Sequence, residues 1–302
     1  MMKRSKGDRL FNIIIVALLV VLLIVELYPL YYVLIASISN PQAVNLNEVW
    51  LYPKQITFEG YTNIFKNKDI WTGYGNSLFY TVAGTFTCLL FTLTCAYCMA
   101  RQPAFKGKTA VTWFLIFTCY FGGGLIPYYL LIRDIGWIDN RMVMIVPGAL
   151  SVFNMIIVRT FYQNTIPASL YESARIDGSG DFSMFLRITL PLSKPIIAVM
   201  ALFFAVGQWN SFFGALIFLP SPEKQPLQLV LRNILIEGQM LNNIIDLNSM
   251  STSQLQTLVK KQWMAETMKY AIIYIASIPV LIAYPFVQKY FVQGVMIGAI
   301  KG

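Results

Sequence analysis

The sequence predicts an all-α, polytopic membrane protein with six transmembrane helices, and three observations lead there. Six long runs of the chain are nearly free of charge. The segments between them are basic, polar or rich in turn residues. No stretch alternates apolar and polar side chains over the roughly 10 positions that a strand of a membrane barrel requires. About 20 apolar residues cross the ~30 Å hydrocarbon core of a bilayer. Within lipid each crossing segment must satisfy its own backbone, which a helix does alone. The runs fall at about 11–36, 74–100, 110–132, 142–163, 190–219 and 268–292. With 57% hydrophobic and only 12% charged residues, the 302-residue chain is more apolar than a soluble one needs to be.

The elements follow in chain order. The opening MMKRSKGDRLFN is basic like the start of a signal peptide, but the apolar run behind it is too long and shows no clear small-x-small cleavage site. An uncleaved first helix is expected. Glu26 stands about 15 residues into that helix, where an ionisable group faces protein or water; it would line a pathway or bond a neighbouring helix. Segment 39–73 is polar with aromatic punctuation and suits turns and a short interfacial helix. A tight turn at 101–109 follows the second run. Gly122–Gly124 with Pro127 marks a break or a close helix contact in the third. A short turn at 133–141 and the fourth run come next.

Residues 164–191 carry five charges between two apolar runs, at Glu172, Arg175, Asp177, Asp181 and Arg187. Pro167 suits the first turn of a helix, and Gly178 suits a left-handed stop just past its end. A short helix over 167–177 is expected, and Asp181 can cap a second one. Leu170 and Ala174 share a face, as do Glu172 and Ile176. This pattern fits either a stiff docking helix or a solvated connector. The last long loop, 220–267, is about 48 residues and too long for a mere connector. It contains LQLVLRNILIEGQML, which reads as a surface helix whose apolar patch should meet a partner.

Charge sets the orientation. Placing the N-terminus inside puts 13 of the 23 Lys and Arg residues on the shorter inner segments, as the positive-inside rule favours. Both termini are then cytoplasmic. The net charge of +9 fits an anionic membrane surface, and no nucleic-acid partner is expected. There is no His, so the commonest metal ligand and general base are absent. Cys95 and Cys98 form a CxxC by spacing only and read as small apolar side chains of a membrane helix. GKT at 107–109 is the tail of a phosphate-binding loop without its leading glycine, since Gln102 occupies that place. No catalytic residue and no metal site are expected.

One passage resembles a known family. Glu172-Ser173-Ala174, three residues, Gly178, nine residues, Ile188-x-Leu190-Pro191 resembles the E-A-A, x3, G, x9, I-x-L-P loop of permease subunits of binding-protein-dependent ABC importers, with Ser173 as the one departure. VGQWNSFFGALIF at 206–218, CAYCMAR at 95–101 and FVQGVMIGAIKG at 291–302 are similar to stretches of carbohydrate permeases of the maltose-type second subunit, and the nearest likeness is to complex-oligosaccharide permeases paired with lipoprotein binding proteins. The resemblance implies one permease domain over 1–302. It implies a second homologous permease subunit, two ATPase subunits that hold ATP and Mg, and an extracytoplasmic sugar-binding lipoprotein. This chain itself binds no cofactor and is not an enzyme on that reading. The implied location is the bacterial cell membrane.

The resemblance also assigns residues. ATPase coupling falls to Glu172, Ser173, Ala174, Asp177, Gly178, Ile188, Leu190 and Pro191, with Glu172 accepting a bond from an ATPase Arg. A sugar pathway is implied at Trp209, Asn210, Phe212 and Phe213 on the fifth span, Tyr128 and Tyr129 on the third, and Glu26. The tail Met296–Gly302 is implied to reach the ATPases, and loop 220–267 to probe the binding-protein cleft. The rival class is an ion-coupled secondary transporter, which would want ionisable groups or broken helices at mid-membrane in both halves of an inverted repeat.

Overall fold

A computed structural model of the chain describes residues 6–101, 105–243, 263, 265–283, 285 and 288. Among them every regular element is helical. They group into two compact units, residues 1–68 with 231–278, and residues 69–230 with 279–302. The tail 296–302 and most of the loop stretch 240–258 lie outside the described residues.

The first unit begins with α1 (Lys6–Ser37), an apolar helix. A short helix α2 (Pro41–Asn45) follows, started by Asn40, whose side chain accepts the Gln42 amide at 2.9 Å. Pro41 fills the first helical position, where no amide is needed. Ile35 and Ala36 of α1 bury against Ala43, Val44 and Val49. Helix α3 (Glu59–Lys66) meets α14 (Ala265–Ala283) at a glycine. A Cβ on Gly60 would stand 2.2 Å from the Thr267 carbonyl oxygen, so only glycine permits this approach. The short interfacial helix expected in 39–73 is thus two helices.

The second unit is threaded by α4 (Lys68–Ala100), the second predicted span. The third span is α5 (Lys108–Tyr120) and α6 (Leu125–Asp134), bent by 113° at the glycines. Gly124 has φ +83, a left-handed value that glycine adopts freely. The fourth predicted span, 142–163, needs correction. It is α-helical only in α7 (Val152–Thr165), preceded by a 3₁₀ turn at Arg141–Met144. Pro147 and Gly148 lie between them, and Pro147 has no amide with which to carry a helix through.

The fifth predicted span, 190–219, is also not one helix. It comprises a short helix at Leu190–Leu192, then α11 (Lys194–Trp209) and α12 (Phe213–Phe218). Three described helices, at Gly7–Ser37, Lys68–Ala100 and Ala265–Ala283, are long and apolar enough to cross a membrane unbroken, and two bent pairs raise that to five.

Polar contacts gather at opposite ends of α4. Near its start Asn76 donates to the carbonyls of Glu223 and Gln225 at 2.8 and 3.0 Å, and Tyr80 donates to that of Lys224 at 2.8 Å. Arg141 donates to Asn76 at 3.0 Å, and Ser221 to Asp139 at 2.7 Å. Near its end Tyr97 and Arg101 both reach Asp181. Asp139 and Arg141 thus join Ser221–Gln225 toward one end of α4, and Arg101 and Tyr97 join Asp181 at the other. Two cores lie between, one around Tyr97, Val158, Tyr162 and Phe204, the other around Tyr80, Ile132, Ala215 and Phe218.

Helix α13 (Leu227–Asn243) occupies the predicted helical stretch of loop 220–267. Its apolar residues correct the expectation of a free patch, because Leu227, Leu229, Val230 and Leu231 are buried. The first turn sits on α4, where the Leu227 amide donates to Ser77 at 2.8 Å and Leu227 backs onto Gly73.

Candidate functional site

The loop after α7 folds as a capped hairpin of short helices. Helix α8 (Ala168–Ile176) starts at Pro167, in extended backbone that suits the residue before a helix. Its end is closed by Gly178 at φ +77. The Ser179 amide donates to the Ala174 carbonyl at 2.9 Å and the Gly178 amide to that of Arg175 at 3.1 Å. This is the Schellman pattern, and it satisfies two carbonyls that the helix end would leave open. The expected 167–177 helix is present, one residue shorter at each end.

The second part of the loop contains α9 (Asp181–Met184), a π-helical turn at Phe185–Thr189 and α10 (Leu190–Leu192). Asp181 does not cap α9 as expected. Gly180 takes the cap position, and the Asp181 carboxylate is held by Arg101 at the end of α4. The guanidinium brings a full positive charge to the carboxylate, where helix-end amides bring only partial ones. The π turn fits a site where the helix must re-aim. Thr189, fully buried, donates back to the Met184 carbonyl at 3.3 Å and pairs with the Tyr171 hydroxyl at 2.9 Å. From there Ser193 marks a bend of 83° into α11.

These contacts latch α8 to the rest of its unit while leaving it bare. None of its residues is buried, and Ile176 is 87% exposed. Glu172, Ser173, Asp177 and Gly178 are exposed, and Ala174 is half-buried. Ile188 is half-buried, Leu190 packs on the core around Tyr97, and Pro191 is exposed. The tie to α4 runs through rings as well, with Tyr97 at 6.3 Å from Tyr171 and 5.1 Å from Phe185. Burial raises the Tyr171 phenol above its ordinary value, opposed by its bond to Thr189, so it stays a neutral strut. A cavity of about 550 Å³ opens between α8 and the ends of α4 and α7, with Glu172, Arg175 and Tyr162 in its wall.

The predicted pathway residues divide. Trp209, 3% exposed, packs edge-on against Tyr74 at 5.5 Å and serves the core. Asn210, Phe212 and Phe213 are exposed at the break between α11 and α12. Tyr128 and Tyr129 brace α12 through Phe218, at 5.6 and 5.9 Å, and keep over a third of their surface free. Glu26 belongs to the other unit and lies on an exposed stretch of α1, not covered by any described helix.

Sequence reasoning missed the residues that hold the site. Arg101, Tyr97, Tyr171 and Thr189 pair across separations of 18 to 84 residues. Gln208, beside the α11 break, lies so close over Gly84 that a Cβ there would meet its amide nitrogen at 2.6 Å. Only the small residue in an apolar helix signalled that approach.

No family model matches the chain. Individual proteins do. Protein LplC of Bacillus subtilis (strain 168) is 36% identical over 301 residues, covering 100% of this chain and 98% of that protein. The polygalacturonan/rhamnogalacturonan transport system permease protein YtcP of the same organism is 35% identical over 296 residues, covering 98% and 99%. Among solved structures, that of a bacterial ABC transporter involved in the import of the acidic polysaccharide alginate matches with a TM-score of 0.82 and 36% identity, over 96% of this chain and 100% of that one. These relatives give no support to an ion-coupled transporter.

Proposed function

The chain belongs to the permease subunits of sugar ABC importers, and from that premise we propose that it forms half of a pore for an oligosaccharide and couples to an ATPase through the loop 164–191. The observation that carries this is α8, a helix with no buried residue that is nevertheless capped at its end and tied through Tyr171 to Thr189 and the Tyr97 ring of α4, while Arg101 holds the same loop at Asp181. Left bare in its own chain, it is suited to seat in a cleft of another. Glu172 on its exposed surface offers a fixed anion to an ATPase arginine. Tilting α8 would be transmitted through the π turn and the Ser193 bend to α11, and so to the break that bears Asn210, Phe212 and Phe213.

The full reading includes six spans with both termini cytoplasmic, although the third, fourth and fifth are broken. A second homologous permease completes the pore, and two ATPase subunits with ATP and Mg supply the work. An extracytoplasmic lipoprotein delivers the sugar. The pairing of segments at the two ends of α4 agrees with that topology. The polysaccharides in the names of two relatives favour oligosaccharide fragments as cargo. The test is co-purification with an ATPase and sugar uptake into vesicles driven by ATP. Uptake driven by an ion gradient without an ATPase would overturn the reading.

A further inference from the structure

The segment after α1 does something its sequence did not announce: it turns back along the helix it has just left. Beyond α2, Val49 is buried against Ile35 and Ala36. At the lowest point the Tyr31 hydroxyl donates to the Leu51 carbonyl at 2.5 Å, and that of Tyr28 to the Trp50 carbonyl at 3.4 Å. The chain then climbs. The Lys54 amide donates to Ser39 at 3.2 Å, Asn40 donates to the Lys54 carbonyl, and Thr57 to that of Ile38. Residues 50–51 thus lie six to nine positions below the end of α1, a depth of about 9–14 Å at 1.5 Å per residue.

That depth can be placed against a bilayer. Arg9 is the last charge before the apolar run. The 20 helical rises from Leu10 to Leu30 span about 30 Å, which is the thickness of a hydrocarbon core. Tyr28 and Tyr31 therefore mark its outer boundary, and Trp50, Leu51 and Tyr52 stand beside them. All three are strongly exposed, at 65%, 58% and 75%, on the same unit as the bare apolar surface of α1. The charges of the loop, Glu48 and Lys54, flank the dip rather than occupy it.

The backbone is prepared for a dry setting. In lipid an unpaired carbonyl is costly. Here the Trp50 and Leu51 carbonyls are taken by tyrosine hydroxyls, and the Asn47 carbonyl by the Trp50 indole N–H at 2.6 Å. Asn47 takes a left-handed φ of +56 to make that turn. In lipid these bonds take the place of the water that would otherwise satisfy the three carbonyls. With its N–H satisfied inside the loop, the indole ring can sit among acyl chains, and aromatic rings favour that boundary.

We propose that residues 46–58 form a membrane anchor, in which the dip Trp50–Tyr52 seats in the acyl–headgroup boundary of the outer leaflet beside α1. The anchor fixes the outer end of α1 and the start of α3 at a set height.

The test is a depth measurement on the assembled transporter in phosphatidylethanolamine–phosphatidylglycerol vesicles. The four native cysteines are replaced, and a nitroxide is placed in turn at Trp50→Cys, Tyr52→Cys, Leu30→Cys and Lys66→Cys. Collision with oxygen, which concentrates in lipid, and with an aqueous nickel chelate is compared at each. The expected result is an oxygen-to-nickel ratio at 50 and 52 that matches Leu30 and exceeds Lys66. In the native-cysteine protein, brominated phospholipids should quench tryptophan emission less after Trp50→Phe. A ratio at 50 and 52 like that of Lys66 means water and overturns the anchor. Low collision with both reagents, with an immobilised spectrum, means a protein partner covers the dip and overturns it equally.

Discussion

Gly178 is the position at which the geometry of the loop 164–191 can be put under a measured load. Its φ of +77 is left-handed, and a Cβ placed on it meets nothing within 4 Å. A substitution there changes backbone strain alone, without a clash. An L-residue in that region costs about 1–2 kcal/mol, and the lower freedom of the unfolded chain returns about 0.4–1 kcal/mol for alanine. The net cost of Gly178→Ala is about 1 kcal/mol, or about fivefold in a local equilibrium. Asparagine tolerates the region better and should cost less; valine, branched at Cβ, should cost more. The affected bonds are Ser179 to Ala174 and Gly178 to Arg175. Hydrogen exchange at residue 179 reads their opening directly. The expected order of exchange is Gly, Asn, Ala, Val from slow to fast, with alanine about fivefold above wild type. ATP-driven uptake should fall in the same order while membrane insertion stays normal. Equal exchange in all four proteins would refute the cap, and normal uptake in the valine variant would refute its part in coupling.

Four further outcomes follow. Gly60→Ala drives a Cβ into the Thr267 carbonyl oxygen and should cost about 1–3 kcal/mol, seen as a lower unfolding temperature, whereas Gly75→Ala, with open space around it, should not. The bonds from Lys224 and then Ser221 hold the Asp139 carboxyl below its ordinary 3.8, so its stabilisation is present above that value and lost as pH falls through the depressed one; Asp139→Asn should remove that acid-side dependence from thermal unfolding curves. Arg101 and Asp181 are partly exposed, so either alanine variant should shift stability by only about 0–1 kcal/mol yet reduce uptake per ATP hydrolysed, and the double variant should be no worse than the singles. Asn210→Ala should alter uptake rate or sugar affinity with basal ATP hydrolysis unchanged, and unaltered uptake would assign the sugar contacts to the partner permease.

What the sequence made legible depended on the range of the interaction. Local signals were read well. Pro167 and Gly178 framed α8 because a proline's missing amide and a glycine's positive φ act within one turn. Gly122–Gly124 marked the break that bends the third span by 113°. Apolar length identified α1 and α4 and fell short for 142–163, where hydropathy is blind to Pro147 and Gly148 interrupting the backbone. The patch on α13 was misread for a related reason. Hydropathy says that Leu227 and Leu229 seek burial, but not that α4 of the same chain provides it.

The loop 164–191 shows the same division at the level of the site. Its motif residues were legible because their spacing is local; Glu172, Ser173, Gly178 and Pro191 prove exposed, whereas Ala174 and Ile188 are half-buried and Leu190 packs on the core. The residues that hold them in place were illegible, because Arg101 and Asp181 are 80 positions apart and each reads alone as a solvated charge. The expectation that Asp181 would cap its own helix was reasonable locally and lost to that distant partner. Yet the loss is informative. A carboxylate free to cap could be exchanged for serine or asparagine, which cap as well. One committed to a guanidinium cannot, because neither residue carries the charge. Asp181→Asn should therefore behave like Asp181→Ala in uptake per ATP, although asparagine is a good helix starter. Retention of full coupling by Asp181→Asn, with loss in Asp181→Ala, would restore the capping role and remove the ion pair from the latch.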